Sequence, residues 1–318
     1  MKSTDLKTYD TWTHAVPTTA PGVATHRTLG HCPCCGSTAR WRWFTNSDLT
    51  LYRCNQCQAV YQDPQPDLSA LLDRSYNQDY FASCQLRVSN QSAALAPRLK
   101  AIEVLLKHTP EGAPLRLLDV GSGVGAFLLA AKDRGWEPMG LEPSPYAVQY
   151  CTEQLGLTVI PGTLDDPVAF PHVFDCINLN HVLEHFQRPY ENLQRIRSLL
   201  RPGGLLIAEV PREGKFASQL LHLLSSWRGA ARQPRPAFTI VHMCIFSPAS
   251  LRALVNRAGF TVERLWVEGN ASSPERFVER FGDSPPLGRL LGRASQLLKA
   301  DVHVGLGNIV VIARRRAT

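Results

Sequence analysis

The chain has 318 residues, 44% of them hydrophobic, with nine cysteines and a formal net charge of +7. That length accommodates about two domains and that composition a packed core, which excludes an intrinsically disordered chain. Met1 to Val16 is polar, and no run approaches the roughly 18 apolar residues that cross a bilayer, so the expectation is a cytoplasmic protein without a membrane partner.

Two C-x2-C pairs come first along the chain. Cys32-Pro33-Cys34-Cys35-Gly36 and Cys54-Asn55-Gln56-Cys57 are separated by 18 residues, the arrangement of a zinc ribbon whose two knuckles offer four thiolates to a tetrahedral ion. Trp41, Trp43, Leu49, Leu51 and Tyr52 lie between them at the alternating positions of a small hairpin, too little core to stand without metal. The ligands expected are Cys32, Cys35, Cys54 and Cys57, with a structural Zn2+ contributing about 10 to 16 kcal/mol to folding. Cys34, Cys84, Cys151, Cys176 and Cys244 read as buried small hydrophobes.

Beyond the ribbon, Pro64, Pro66 and Asp67 interrupt the chain, Leu68 to Arg74 resumes a short helical pattern, and Tyr76, Tyr80 and Phe81 form an aromatic cluster. Packing accounts for that cluster most simply; a lid over a ligand is its functional alternative. Leu99, Ile102, Leu105 and Leu106 predict one amphipathic helix over 95–108, and Pro110 to Pro114 a loop.

Next comes Leu117-Leu118-Asp119-Val120-Gly121-Ser122-Gly123-Val124-Gly125, with Glu142 closing the following apolar run. A buried strand, a turn that brings bare backbone against a ligand and a helix over 126–134 are predicted, with an acid about twenty residues on for ribose hydroxyls. Gly121, Gly123 and Ala126 also satisfy the loose dinucleotide fingerprint. Asp119 tips the balance, because a carboxylate beside the turn repels a pyrophosphate and attracts the ammonium of S-adenosylmethionine.

Strands are then predicted at 138–142, 157–161, 175–179 and 205–210, with helices at 145–155 and 190–200 between them. Ser247 caps a helix that ends before Gly259, and 262–267 and 308–313 complete the sheet. The fold class is α/β: a doubly wound, Rossmann-like parallel sheet with a small N-terminal zinc ribbon and helical cap insertions. The organisation expected is 1–66 with the ribbon, 67–112 as helical linker or lid, and 113–318 as the main domain with insertions at 212–244 and 272–304.

Over roughly residues 115–315 the chain resembles the class I S-adenosylmethionine-dependent methyltransferases. The resemblance rests on Leu118 to Gly125, on Phe174-Asp175-Cys176-Ile177 running into Val182-Leu183-Glu184-His185, on Leu200-Arg201-Pro202-Gly203-Gly204, and on Phe246 to Leu251 with Ala258-Gly259-Phe260. With the ribbon and Tyr76 to Phe81 in front, it looks like the zinc-ribbon methyltransferases of bacterial sugar and natural-product pathways, with Gln58 where the second knuckle often has glycine. The resemblance implies that Asp119, Gly121, Ser122 and Gly123 hold the methionine end and Glu142 the ribose diol. It places adenine contacts at Leu164 and Asp165, and Asn180 and His181 near the transferring methyl.

A base is needed only for a protonated nucleophile, and His181, His185 and His242 are the candidates, His242 first because it closes a long insertion. His181-Val182-Leu183-Glu184-His185 also spells an inverted zinc-protease signature, but it follows a strand directly and precedes Pro189, so it reads as a strand exit.

The insertion from Arg212 to Cys244 carries Lys215, His222, Arg228, Arg232 and Arg235 and reads as a lid or as a solvated basic face. The leading function is methyl transfer to a small biosynthetic intermediate, a sugar or natural product accepting at O, C or N and anionic or carrier-linked. The alternatives are an RNA methyltransferase that binds RNA through the ribbon, although no aromatic-and-basic stacking surface is evident, and a non-catalytic cofactor-binding module.

Overall fold

A computed structural model describes residues 25–45, 49–66, 76, 78–86, 88–106, 113–212, 241–269 and 307–316. The helix expected over 68–74, most of the first insertion with its five basic residues, and the second insertion with its helical pattern lie outside them.

Seven strands form the central sheet: β6 (Arg116–Val120), β7 (Glu137–Glu142), β8 (Thr158–Pro161), β9 (Phe174–Asn180), β10 (Leu200–Pro211), β12 (Phe260–Gly269) and β13 (Gly307–Arg315). Their order is β12-β13-β10-β9-β6-β7-β8, with β6 to β10 mutually parallel and β13 antiparallel to both neighbours. The strand sequences are apolar on both faces because helices cover both. On β10, Leu206, Ala208 and Val210 face one cluster with Leu193 and Ile196 of α6 (Pro189–Leu199) and Leu251 and Leu254 of α7 (Pro248–Arg257). Leu205 and Ile207 face the other, with Leu99 and Ile102 of α3 (Ala96–Leu105) and Phe127 and Leu128 of α4 (Ala126–Lys132).

The predicted starts hold where local chemistry fixes them. Ser247 Oγ accepts from the Ser250 backbone N–H while Ser250 Oγ accepts from that of Ser247, a capping box followed by Pro248. The helix expected over 95–108 is α3, and two short helices that the sequence did not announce precede it, α1 (Gln78–Gln85) and α2 (Val88–Ala94). Pro97 has no N–H to donate and falls in the first turn of α3, where none is needed. The helix predicted to reach Leu155 is α only over α5 (Pro145–Gln149) and widens to a π turn at Tyr150–Gln154, where the Thr152 hydroxyl donates to the Val148 carbonyl.

The ribbon is joined to the sheet domain by backbone. Its hairpin strands β2 (Arg40–Thr45), β3 (Thr50–Cys54) and β4 (Val60–Gln62) gain a fourth, β11 (Cys244–Ile245), from the far side of the first insertion. The short β1 (Thr25–Arg27) and β5 (Gln65–Pro66) pair beside it. Cys32, Cys54 and Cys57 belong to the same buried cluster as Leu206 and Leu254. The Arg257 guanidinium lies 3.9 Å above the Tyr190 ring and 3.4 Å from the Cys34 carbonyl. Among the described residues no helix is long and apolar enough to cross a membrane.

Candidate functional site

Strand order reverses at β6, which has β7 on one side and β9 on the other, and a crevice opens at such a point beyond the carboxyl ends of the strands. There the turn runs through Gly121, Gly123 and Gly125, all at positive φ. At Gly121 an added Cβ would lie 2.5 Å from Val182 Cγ2, so only glycine lets the β9 exit approach. At Gly123 an added Cβ would meet nothing within 4 Å, which leaves a bare backbone surface facing open space.

Asp119 and Glu142 flank this turn, both buried. Asn178 Nδ2 donates to Asp119 Oδ1 at 2.7 Å. Burial pushes the Asp119 carboxyl up to about 7, against the Asn178 hydrogen bond and with help from the Glu142 charge. Glu142 accepts from the Gly123 and Ser144 backbone N–H groups, each at 2.9 Å, so it braces the turn from which it would reach a diol. Burial also raises its pKa. Ser122 packs under the turn, its Oγ 2.7 Å from where a Cβ on Gly140 would stand. Leu164 is a core residue, and Asp165 is half exposed and paired with Arg188 at 2.8 Å.

Beyond β9 the chain turns at His181, a non-glycine residue at φ 55. Asn180 Oδ1 is buried without a hydrogen-bond partner. His181 Nδ1 lies 3.4 Å from Glu184 Oε1 and Nε2 3.7 Å from Glu209 Oε1. Burial opposes a charged His181, but the Glu184 hydrogen bond and the two carboxylates outweigh it and raise the pKa. Burial would raise Glu184 and Glu209 likewise; His181, and for Glu209 first Arg98, hold both below the ordinary range. The pentapeptide forms only a short 3-10 turn, Leu183–His185, not the long helix of a zinc protease.

His185 differs. Its Nδ1 is 2.9 Å from the Val241 carbonyl and its Nε2 3.2 Å from the Tyr76 hydroxyl. A carbonyl only accepts, so Nδ1 carries the hydrogen and a neutral ring keeps its lone pair on Nε2. Burial, then the charges of Glu184 and Glu142, push Tyr76 well above the usual phenol range, so it donates. The His242 ring stands 5.0 Å from that of His185, and ligand-type atoms of Glu184, His185 and His242 all lie within 4.8 Å of one another.

The four ribbon thiols also converge, with Sγ atoms within 4.8 Å of one another, Cys32 to Cys57 at 3.6 Å and Cys35 to Cys54 at 3.5 Å. A tetrahedron with zinc–sulfur bonds of about 2.3 Å has edges of about 3.8 Å, so the set fits that ion. Gln58, at the usual glycine position, adopts φ 65, with its side chain donating to the Asn55 carbonyl. Cys34 is not one of the four: Cys244 and Cys32 beside it, then burial, keep it a thiol.

This strand order, with one antiparallel strand next to the edge and a glycine turn at the reversal, is that of the class I S-adenosylmethionine-dependent methyltransferases. The profile of the methyltransferase domain family matches residues 89–265, more than half of the chain, and the chain belongs to that family. It is 31% identical over 185 residues to the tRNA U34 carboxymethyltransferase of Syntrophotalea carbinolica, covering 53% of this chain and 54% of the relative. It is 33% identical over 136 residues to an uncharacterized methyltransferase of Mycobacterium avium, covering 40% and 53% respectively. The chain spans about half the length of these curated relatives. Among solved structures, phosphoethanolamine N-methyltransferase 2 of Haemonchus contortus with S-adenosyl-L-methionine superposes with a TM-score of 0.51 at 18% identity, over 81% of this chain and 63% of that one, a likeness of fold. The chain thus carries a methyltransferase domain of this class.

The sequence did not single out Asn178, Glu209 or Arg98 for these clusters, and it marked Tyr76 only as packing or a lid, not as a partner of His185. Asn178 and Glu209 had one available signal: each is a polar residue inside an otherwise apolar strand run.

Proposed function

We propose that the chain methylates a small biosynthetic intermediate, with His185 rather than His242 as the group that takes the acceptor proton. The orientation of His185 carries this reading: its Nδ1 hydrogen is committed to Val241, its Nε2 lone pair faces Tyr76, and Tyr76 feels both Glu184 and the Glu142 end of the cofactor crevice. A base needs a lone pair that the acceptor can reach, and on Nε2 an acceptor hydroxyl would replace the Tyr76 hydroxyl that donates there. His181 is the poorer choice, because Nδ1 faces Glu184 and Nε2 faces Glu209 and the Asn308 amide, which leaves neither nitrogen open to an acceptor. We keep it as a positioning residue.

For the cofactor, Asp119 would meet the ammonium, the Gly121 to Gly123 backbone the methionine end, and Glu142 the ribose hydroxyls. Asn180, with its unpartnered buried oxygen, would face the transferring methyl. Asp165 would serve adenine only by leaving Arg188, so Leu164 and its neighbouring backbone are the better adenine contact. S-adenosylmethionine supplies an electrophilic methyl; the residues here align the acceptor with it and exclude water. We assign a structural Zn2+ to Cys32, Cys35, Cys54 and Cys57. The ribbon is then a brace for the acceptor side, because Met243 N–H donates to the Glu184 carbonyl at 2.7 Å and its own carbonyl accepts from Gln62 at 3.1 Å.

One observation favours the RNA reading: on the ribbon's edge strand Trp41 is 47% exposed, beside Trp43 with the Arg53 guanidinium 5.2 Å from its ring. Incubation with methyl-labelled S-adenosylmethionine and separated metabolite, RNA and protein fractions tests the choice. Label in metabolites is expected; label confined to RNA would replace the small-molecule reading.

A further inference from the structure

A cavity of about 840 Å³ lies between α3 and the β10-β13-β12 edge of the sheet, on the face opposite α6 and α7. That is the size range of pockets that enclose a small ligand. Its two ends differ. At the carboxyl end of β10 the wall is Arg98, Glu209 and Asn308, with Arg98 ion-paired to Glu209 and the Asn308 amide hydrogen-bonded to Glu209. Farther along, Ile312 is four residues from Asn308 on β13, on the order of 13 Å away at strand rise. Ile312, Ala101 of α3 and Trp266 give that end apolar side chains, beside Glu263 and Arg264 of β12, whose opposite charges offset each other.

The polar end is connected to the catalytic loop. Glu209 and the Asn308 amide each approach His181 Nε2, at 3.7 Å and 3.2 Å, and His181 leads through Glu184 to His185, whose Nε2 is 4.0 Å from Glu184 Oε1. A largely buried ion pair contributes little net stability, so packing alone gives weak reason to line a cavity with one. The charge balance also restricts the ligand. The charged residues of the lining, Arg98 and Arg264 against Glu209 and Glu263, sum to zero, so the cavity offers no net positive charge for a phosphate, and Ala101, Trp266 and Ile312 are among its apolar residues.

We propose that this cavity receives the body of the methyl acceptor and that the acceptor is amphipathic and uncharged: a hydroxyl or carbonyl against Glu209 and Asn308, an apolar ring system or chain between Ala101, Trp266 and Ile312, and the methyl-accepting group outside the cavity, past the His181 turn toward His185. The inference rests on the small-molecule reading above and narrows it, against a nucleotide-linked sugar or an anionic carrier.

The binding test uses 1-naphthol, a bicyclic apolar ring with one hydroxyl, titrated calorimetrically into the full-length protein loaded with S-adenosylhomocysteine. Ala101 is only half buried and projects into the apolar end, so A101W fills the cavity without entering the core. Naphthol affinity is expected to fall at least tenfold in A101W and about threefold in A101L, the milder variant that serves if A101W no longer binds S-adenosylhomocysteine. Equal naphthol affinity in the wild type and a variant that still binds S-adenosylhomocysteine would overturn the site. In a second arm, methyl label from a lysate incubation is extracted with ethyl acetate. Label in the organic phase that is lost in A101W supports the proposal; label in aqueous nucleotide sugars overturns the acceptor class while leaving small-molecule methylation standing. Label in RNA alone, with naphthol binding intact, would show that the cavity is real and the function reading wrong.

Discussion

The Nδ1 atom of His185 lies 2.9 Å from the carbonyl oxygen of Val241, and this bond decides which end of the imidazole can take a proton. Val241 is held near by the ribbon. The Gln62 side chain donates to the His242 carbonyl at 2.9 Å, and β4 pairs with β11 just beyond. The orientation of one histidine in the sheet domain therefore depends on contacts made by the hairpin that carries the four-cysteine cluster.

Removing zinc should therefore impair more than the ribbon. One zinc per chain is expected by elemental analysis, and Cys54→Ser should abolish it, lower the melting temperature and reduce methyl transfer, while cofactor affinity changes less than threefold. Zinc-free protein with full transfer would separate the ribbon from catalysis.

Tyr76 is expected to tune the base. Tyr76→Phe removes the hydroxyl 3.2 Å from His185 Nε2 and leaves the ring. A loss of about 1 kcal/mol, or roughly fivefold in the transfer rate, fits a single neutral hydrogen bond. The test is single-turnover rate against pH, where the variant should shift the limb that reports the base; an unshifted profile would make Tyr76 a packing residue.

Cofactor affinity should rise with pH. Free of cofactor, Asp119 has its carboxyl pushed from 3.8 up to about 7. Below that value it is neutral and exerts no charge attraction on an ammonium; above it the carboxylate is available, and a bound cation then draws its pKa down. Affinity measured by calorimetry should be about tenfold weaker at pH 6 than at pH 8, and Asp119→Asn should be weak and flat across that window. A pH-independent wild type would remove Asp119 from cofactor binding.

Gly121→Ala meets two obstacles, φ of 68 and a Cβ 2.5 Å from Val182. A loss of about 1–3 kcal/mol is expected in denaturant unfolding. Adding Val182→Ala should return the steric part and leave the backbone part. Complete recovery in the double variant would assign the whole effect to the contact.

The strands of the sheet and the glycine turn were legible in the sequence because they are local: apolar runs such as Leu205 to Val210, glycines at fixed offsets and the Ser247 cap each declare themselves within a few residues. What stayed hidden is long-range. Arg98 and Glu209 pair across 111 positions, and Gln62 reaches His242 across 180. Cys244–Ile245 is too short to show strand periodicity, so the sequence left it as the end of an insertion when it is the fourth strand of the ribbon sheet. The choice among the three histidines was hidden for the same reason, since their partners Glu209, Val241 and Tyr76 come from separate parts of the chain.

The central claim is that His185, fixed by Val241, takes the acceptor proton. Its most direct measurement is the single-turnover rate of methyl transfer in His185→Gln, His242→Gln and the wild type, at saturating S-adenosylmethionine with cofactor affinity checked in each. His185→Gln should lose about 10² to 10⁴ in rate, the usual contribution of a general base, with unchanged cofactor affinity, and His242→Gln should lose less than tenfold. The reverse ranking, or full activity in His185→Gln, would contradict the account.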